Sequence, residues 1–315
     1  MRAVMEAILK HGEQICPSQG PCRELTGVML EINDPRSRLS RTETRGKPFS
    51  CLGELCWYLA QSNQVHFISY YVPYEEYADG EIVLGGYGPR LFNWKGQNQI
   101  ENVIALLRKK PSSRQAVIQL FEAGDIAQQT NSTPCTCTLQ FLIRNNYLHM
   151  ITYMRSNDVF LGLPHDIFCF TMLQEIIARS LAVEVGIYKH TVGSLHLYDR
   201  DEEKARQFLS EGWQTTEMAM PPMPVGDPWA AIQSLLQAEA TIRLQGAPKV
   251  GELNDIDSYW VDLIRLLQIF WYAKNKCAEE IEALREKMTS STYDLFIGKR
   301  CSPAHQHNLI TTSVN

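Results

Sequence analysis

Three short runs carry the side chains able to do chemistry. They read TPCTCTLQF over 133–141, YMRSNDVFLGLPHD over 153–166 and GSLHLYDRD over 193–201. Cys135 follows a proline and faces two readings, a buried hydrophobe or a nucleophile. Arg155 falls on the next strand of a hairpin, where its charge would lower a nearby thiol pKa or grip a phosphate with two parallel hydrogen bonds. Ser156 and Asp158 add polar groups where that strand ends. The Leu161-Gly162-Leu163-Pro164 turn aims Asp166 from the start of an apolar helix, unless it serves only as a cap. His196 and Tyr198, two apart on a strand, share one face. Cys137 is the competing nucleophile, placed by the same alternation on the face of Cys135.

The elements that must position these groups follow from periodicity and breakers. Helices are expected over 2–14, 49–60, 99–108 and 167–181, the last apolar on nearly all sides. Strands are expected over 25–32, 114–120, 139–143, 148–154 and 187–198, with Arg144-Asn145-Asn146 as a hairpin turn. Residues 16–27 read as a loop. Glu54 stands alone in the apolar run FSCLGELCWYLA; a carboxylate there is costly unless it is paired, functional or at a wet helix edge. Arg36, Arg38, Arg41, Arg45 and Lys47 make the stretch 35–47 either a solvated loop or a basic lid. The glycine-rich GGYGPR lacks phosphate-loop spacing. After MPPMPVGDP, Asp227 and Pro228 open a helix ending at Gly246, and one longer helix is expected over 257–288.

The 315 residues suffice for a large core, and 44% apolar with 21% charged residues is ordinary for a globular protein. A net charge of −5 argues against a general nucleic-acid binder. Nine cysteines in no paired spacing point to a reducing cytoplasm and no disulfide framework. Neither Cys16/Cys22 nor Cys51/Cys56 has partners at zinc-finger spacing, and Cys135/Cys137 alone is a poor metal pair. No metal is expected. No signal peptide is visible, and the most apolar window, 261–273, is too short and too charged to span a membrane.

Taken in order, PC-x4-QF, RS-x-D-x-x-LGLP and H-L-Y, with GELCWYLAQSN, YGPR and SSR, resemble thymidylate synthase and its relative deoxycytidylate hydroxymethylase. The resemblance spans residues 45–200 and does not extend to the C-terminal third. It implies an α/β (α+β) fold, a large mixed sheet packed by helices, in an obligate homodimer whose sheets meet at the interface. Expected boundaries are a catalytic domain over 1–225, a helical extension over 226–300 packed on it, and a disordered tail over 301–315. It further implies that Cys135 adds to C6 of a pyrimidine nucleotide and that C5 takes a one-carbon unit from 5,10-methylenetetrahydrofolate. Glu54 would move protons and hold water, and Tyr87 would line the site. Arg155 and Ser156 would bind phosphate, Arg114 the phosphate of the other protomer's site. His196 and Tyr198 would hold the sugar hydroxyl. Asp158, Tyr74 and Tyr77 would lie at the folate.

Departures from the family pattern are informative. Asp166 replaces the asparagine that reads uracil, and a carboxyl group suits cytosine. Thr136 replaces a histidine and Met154 a glutamine. Arg23 stands in for a loop arginine that has no counterpart in register. Tyr74 and Tyr77 replace tryptophans, and the closing tail is not recognisable. The expected activity is therefore hydroxymethylation of CMP or dCMP. The alternatives are methylation of dUMP or dCMP and a non-catalytic nucleotide- or RNA-binding relative.

Overall fold

The computed structural model describes residues 1–40, 48–127, 130–211 and 219–301. Arg41, Arg45 and Lys47 of the expected lid, and residues 302–315 of the expected tail, lie outside them, while Cys301, expected in that tail, ends a helix. The fold is mixed α/β, with helices packed on one six-stranded sheet of order β1-β2-β6-β5-β4-β3. Its strands are β1 (Glu13–Ile15), β2 (Cys22–Ile32), β3 (Val117–Gln119), β4 (Thr136–Arg144), β5 (Tyr147–Asp158) and β6 (Glu184–Tyr198). Among the described residues only β5 and β6 pair in parallel. The connection between them is α6 (Gly162–Ser180), as a parallel crossover requires. Gln174 locks α6 to the sheet by donating to the carbonyls of Leu148 and Gly186, at 2.8 and 3.0 Å.

The β4–β5 hairpin turns at Asn145 and Asn146, both at positive φ (50° and 65°), which asparagine tolerates best among non-glycine residues. β2 begins at Cys22, so part of the expected 16–27 loop is strand. The short β1 pairs with this first part of β2, an extension that no local pattern reveals. α1 (Arg2–His11), with Gly12 as its C-cap, ends three residues short of the expected boundary.

Every residue of α2 (Pro48–Leu59) is buried, Glu54 included, so Glu54 is not at a wet helix edge. α3 (Val65–Ile68), α4 (Tyr87–Phe92), α5 (Gln99–Lys109) and α7 (Asp199–Ser210) complete the body around the sheet. The C-terminal helices α8 (Trp229–Gln245) and α9 (Ser258–Lys274) pack against α2 and share its hydrophobic core. Gly53 makes this possible: a Cβ there would stand 2.2 Å from the Tyr71 ring. Tyr71 donates from its hydroxyl to Glu239 on α8 (2.8 Å) and packs on Phe270 of α9 (ring centroids 5.2 Å). The single helix expected over 257–288 is two, α9 and α10 (Ala278–Arg285), followed by α11 (Asp294–Cys301). The break falls at Lys276, whose φ of 59° no continuing helix admits.

Arg38 is no free lid residue. It is buried, bonded to Glu175 (2.5 Å) and the Pro35 carbonyl (2.9 Å), with Met172 Sδ alongside. Among the described residues no helix is long and apolar enough to cross a membrane.

Candidate active site

Cys135 sits just before β4, where the strand is irregular. Thr136 pairs with Met154 and Thr138 with the next residue, Tyr153, so Cys137 is an extra residue in a bulge. Alternation fails there, and Cys137 is not held to the face of Cys135 as strand spacing predicts. Arg155 grips the nucleophile's segment. Its Nε donates to the Pro134 carbonyl and its Nη2 to that of Thr133, both at 2.9 Å, and Nη2 lies 3.7 Å from Cys135 Sγ. Burial pushes the thiol pKa up, and the opposing pull of Arg155 does not overcome it. The resting group is therefore a thiol, contrary to what an adjacent cation alone would give. Tyr87 OH accepts from both Thr136 N (3.0 Å) and Thr136 Oγ1 (2.9 Å), so the tyrosine is fixed one residue from the nucleophile.

Glu54 is held at both oxygens. Tyr58 OH donates to Oε1 at 2.6 Å, and His165 Nδ1 lies 2.6 Å from Oε2. Ser50 Oγ lies 3.3 Å from His165 Nε2. Burial by itself lowers the His165 pKa; Cys51 and Glu54 beside it reverse this and raise it to about 10. An imidazolium therefore faces Glu54 at neutral pH. The sequence reading overlooked His165. The signal was present, a titratable residue inside the LGLPHD turn next to Asp166, but its partner lies 111 residues away.

Asp166 is buried, and its Oδ2 accepts from Asn157 Nδ2 at 2.7 Å. Burial, then the negative charge of Glu54, raises its pKa to about 8. Asp166 is not the N-cap of its helix; it lies inside α6, which starts at Gly162. Asp158 caps the turn instead, its Oδ1 accepting from Phe160 N at 2.8 Å. His196 and Tyr198 meet edge to face with ring centroids 4.9 Å apart, and His196 stands in register with Asp158. Tyr74 lies between Trp57 (5.7 Å) and Tyr77 (5.2 Å), so an indole remains in this aromatic ladder. Ser156 is half-buried near the end of β5.

The other two expected phosphate ligands are Arg23 and Arg114, the latter expected to serve the other protomer's site. Arg23 is in register with Leu197 and so leaves the sheet on the side opposite His196 and Tyr198. There its Nε pairs with Glu202 at 3.3 Å, which neutralises it locally. Arg114 is exposed, its carbonyl accepting from Gln140 Nε2 at 3.1 Å. Arg90 of the YGPR turn is structural, donating to Asp125 (2.6 Å) and the Leu120 carbonyl (2.6 Å). Among the described residues no group of three His, Cys, Asp or Glu side chains can hold a metal.

Next to His165 a small, shallow cleft is lined by Leu39, Pro48, Cys51, Leu161, Pro164 and Phe168 among others. A thiol beside a guanidinium, a doubly anchored buried carboxylate, and a second carboxyl that is protonated at neutral pH form a site suited to nucleophilic catalysis with proton transfer.

A family model described as thymidylate synthase matches residues 3–229, and the chain belongs to that family. The thymidylate synthase of Buchnera aphidicola subsp. Baizongia pistaciae (strain Bp) is 34% identical over 165 residues, 49% of this chain and 61% of that protein. The chain thus matches about three fifths of that relative's length.

Proposed function

We propose that this chain transfers a one-carbon unit to C5 of a pyrimidine nucleoside monophosphate, that the nucleotide is CMP or dCMP, and that the product is hydroxymethylated. Family membership supports the reaction class. The observation that carries the base assignment is Asp166, a buried carboxyl with a pKa near 8 and one oxygen engaged by Asn157. Protonated, it offers cytosine a donor for N3 and an acceptor for the exocyclic amine; uracil needs the reverse pattern.

In this reading Cys135 Sγ forms a bond to C6, which makes C5 nucleophilic, and the same bond breaks when the product leaves. Burial pushes the Cys135 thiol pKa up, so the thiol must give up its proton to a base as Sγ adds to C6. Arg155 and Ser156 bind the phosphate, Arg114 from a second copy completes that site, and His196 with Tyr198 holds the sugar hydroxyl. Glu54 moves protons, oriented by Tyr58 and His165. The Trp57–Tyr74–Tyr77 ladder offers aromatic faces for a flat pterin to pack on, with Asp158 between base and folate. When bound there, 5,10-methylenetetrahydrofolate supplies the one-carbon unit.

Water, rather than hydride, completes the reaction in this reading. Tyr74 and Tyr77 bring hydroxyls where indoles would exclude water, and Glu54 can order a water molecule. A second reading, C5 methylation of dUMP or dCMP, is favoured by the name of the relative. Incubating the protein with 5,10-methylenetetrahydrofolate and CMP, dCMP or dUMP and weighing the products separates the two. Dihydrofolate formed in step with nucleotide consumption would mean methylation and would overturn the hydroxymethyl assignment. The same reading makes the protein a cytoplasmic homodimer. The sheet face carrying Met29, Val117 and Tyr153 is exposed and supports the docking of a second copy.

A further inference from the structure

Behind Asp166 runs a buried polar chain that the mechanism above does not use. Tyr188 OH lies 2.7 Å from His190 Nδ1, His190 Nε2 lies 2.9 Å from Asn157 Oδ1, and Asn157 Nδ2 lies 2.7 Å from Asp166 Oδ2. Tyr188 and His190 are 0% exposed and Asn157 4%. Polar groups in such a place cost stability compared with apolar ones of the same shape, so a fully connected row ending on a ligand-facing carboxyl calls for a functional account. The backbone also leaves room for it. A Cβ on Gly162 would stand 3.0 Å from Asn157 Nδ2 and 3.6 Å from Asp166 Oδ2.

The direction of the chain follows from donor and acceptor counting. Burial lowers the His190 pKa to about 4, so the ring is neutral and carries one proton. A carboxyl that can lose its proton is best faced by a permanent donor, which is the Asn157 amide nitrogen. The Asn157 oxygen then faces His190 and must accept from Nε2–H. That leaves His190 Nδ1 bare, to accept from the Tyr188 hydroxyl. Asp166 Oδ2 is thereby held as an acceptor, and among the described residues no hydrogen bond reaches Oδ1.

Resting on the cytosine reading above, we propose that Tyr188, His190 and Asn157 are positioning residues for base selection, confining the Asp166 proton to Oδ1 so that the carboxyl presents a fixed donor–acceptor pair to cytosine. Oδ1–H then meets N3, and Oδ2 accepts from both Asn157 and the exocyclic amine. Without the chain the carboxyl rotates or carries its proton on either oxygen, and the pattern that rejects uracil is lost.

The test measures Kd for CMP and for UMP by calorimetry, with the thermal midpoint of each variant recorded. Wild-type protein is expected to prefer CMP. Asn157→Leu and His190→Phe are expected to lower the CMP-over-UMP ratio roughly tenfold or more, the factor one lost hydrogen bond in such a site is worth. His190→Gln keeps a donor at the Nε2 position and is expected to retain most of the preference. Imidazole ¹⁵N NMR of the wild-type protein reads the direction independently of any variant, with His190 expected as the Nε2–H tautomer. A preference unchanged in Asn157→Leu and His190→Phe while the thermal midpoint falls would mean a purely structural chain, and an Nδ1–H tautomer would reverse the chain; either overturns the relay. Wild-type protein with no preference for CMP over UMP would instead remove the cytosine reading beneath it.

Discussion

At Asp166, burial and the Glu54 carboxylate both disfavour the ionised form, and the pKa of about 8 gives the site a pH signature. In the proposed cytosine reading the protonated carboxyl is the binding form, so CMP affinity is expected to stay level below about pH 8 and fall above it. Asp166→Asn is expected to flatten that dependence and shift preference toward UMP; calorimetry at pH 7 and pH 9 measures both. His165 has the opposite logic. Its pKa is raised from 6.5 to about 10, so the stability it lends is fully present below pH 6.5 and is lost as pH rises through about 10. His165→Phe leaves Glu54 a buried carboxylate with Tyr58 as its remaining partner. It is expected to cost about 1–3 kcal/mol in urea denaturation at pH 6 and to lower kcat more than it raises KM. Equal urea midpoints for wild type and variant at pH 6 would dismiss the pairing. For the nucleophile, Cys135→Ser is expected to abolish C5 tritium release from labelled nucleotide, with Cys137→Ser as the control. Release at the wild-type rate in Cys135→Ser would dismiss the assignment.

Elements here are shaped by what must stay inside. α2 carries Glu54 on a helix buried all round, which is possible only because α8 and α9 cover its outer side. Gly53 is the contact point, since any side chain there meets the Tyr71 ring that ties α2 to both helices. Gly53→Ala raises intrinsic helix propensity by about 1 kcal/mol. It is nonetheless expected to destabilise, by about 1–3 kcal/mol from overpacking. A denaturation midpoint higher than wild type would show that Tyr71 yields easily and that the packing of α8 and α9 is looser than the geometry indicates.

At the scale of the molecule, helices bury one face of the sheet while the other leaves Met29, Val117 and Tyr153 in solvent. Their pairings place them on one face across five strands, Met29 by Thr191, Tyr153 by Thr191 and Thr138, and Val117 by Gln140. In the proposed homodimer Arg114, exposed in a single copy, is expected to serve the neighbouring copy's Cys135 site. Mixing Arg114→Ala with Cys135→Ser protein is then expected to restore activity, because hybrid dimers hold one site with both residues intact. A mixture as inactive as its parents, with subunit exchange confirmed, would exclude a shared site.

The sequence by itself determined the family, through PC-x4-QF and LGLP at their spacing, and the mixed α/β class, through strands and helices of strong periodicity. Those signals are local: alternation, breakers and turn residues act within a few positions. Contacts between distant segments were decided only by the tertiary structure. Alternation predicts Cys135 and Cys137 on one face, but pairing with β5 forces a bulge at Cys137. An arginine in a charged run reads as solvated, but Arg38 finds Glu175 137 residues away and goes inside. His165 and Glu54 meet across 111 residues, and His190 and Asn157 across 33. The protonation of Asp166 is likewise a tertiary property. Residue type supplies an acid that ordinarily ionises near 3.8, and only burial beside a second carboxylate keeps its proton on at neutral pH.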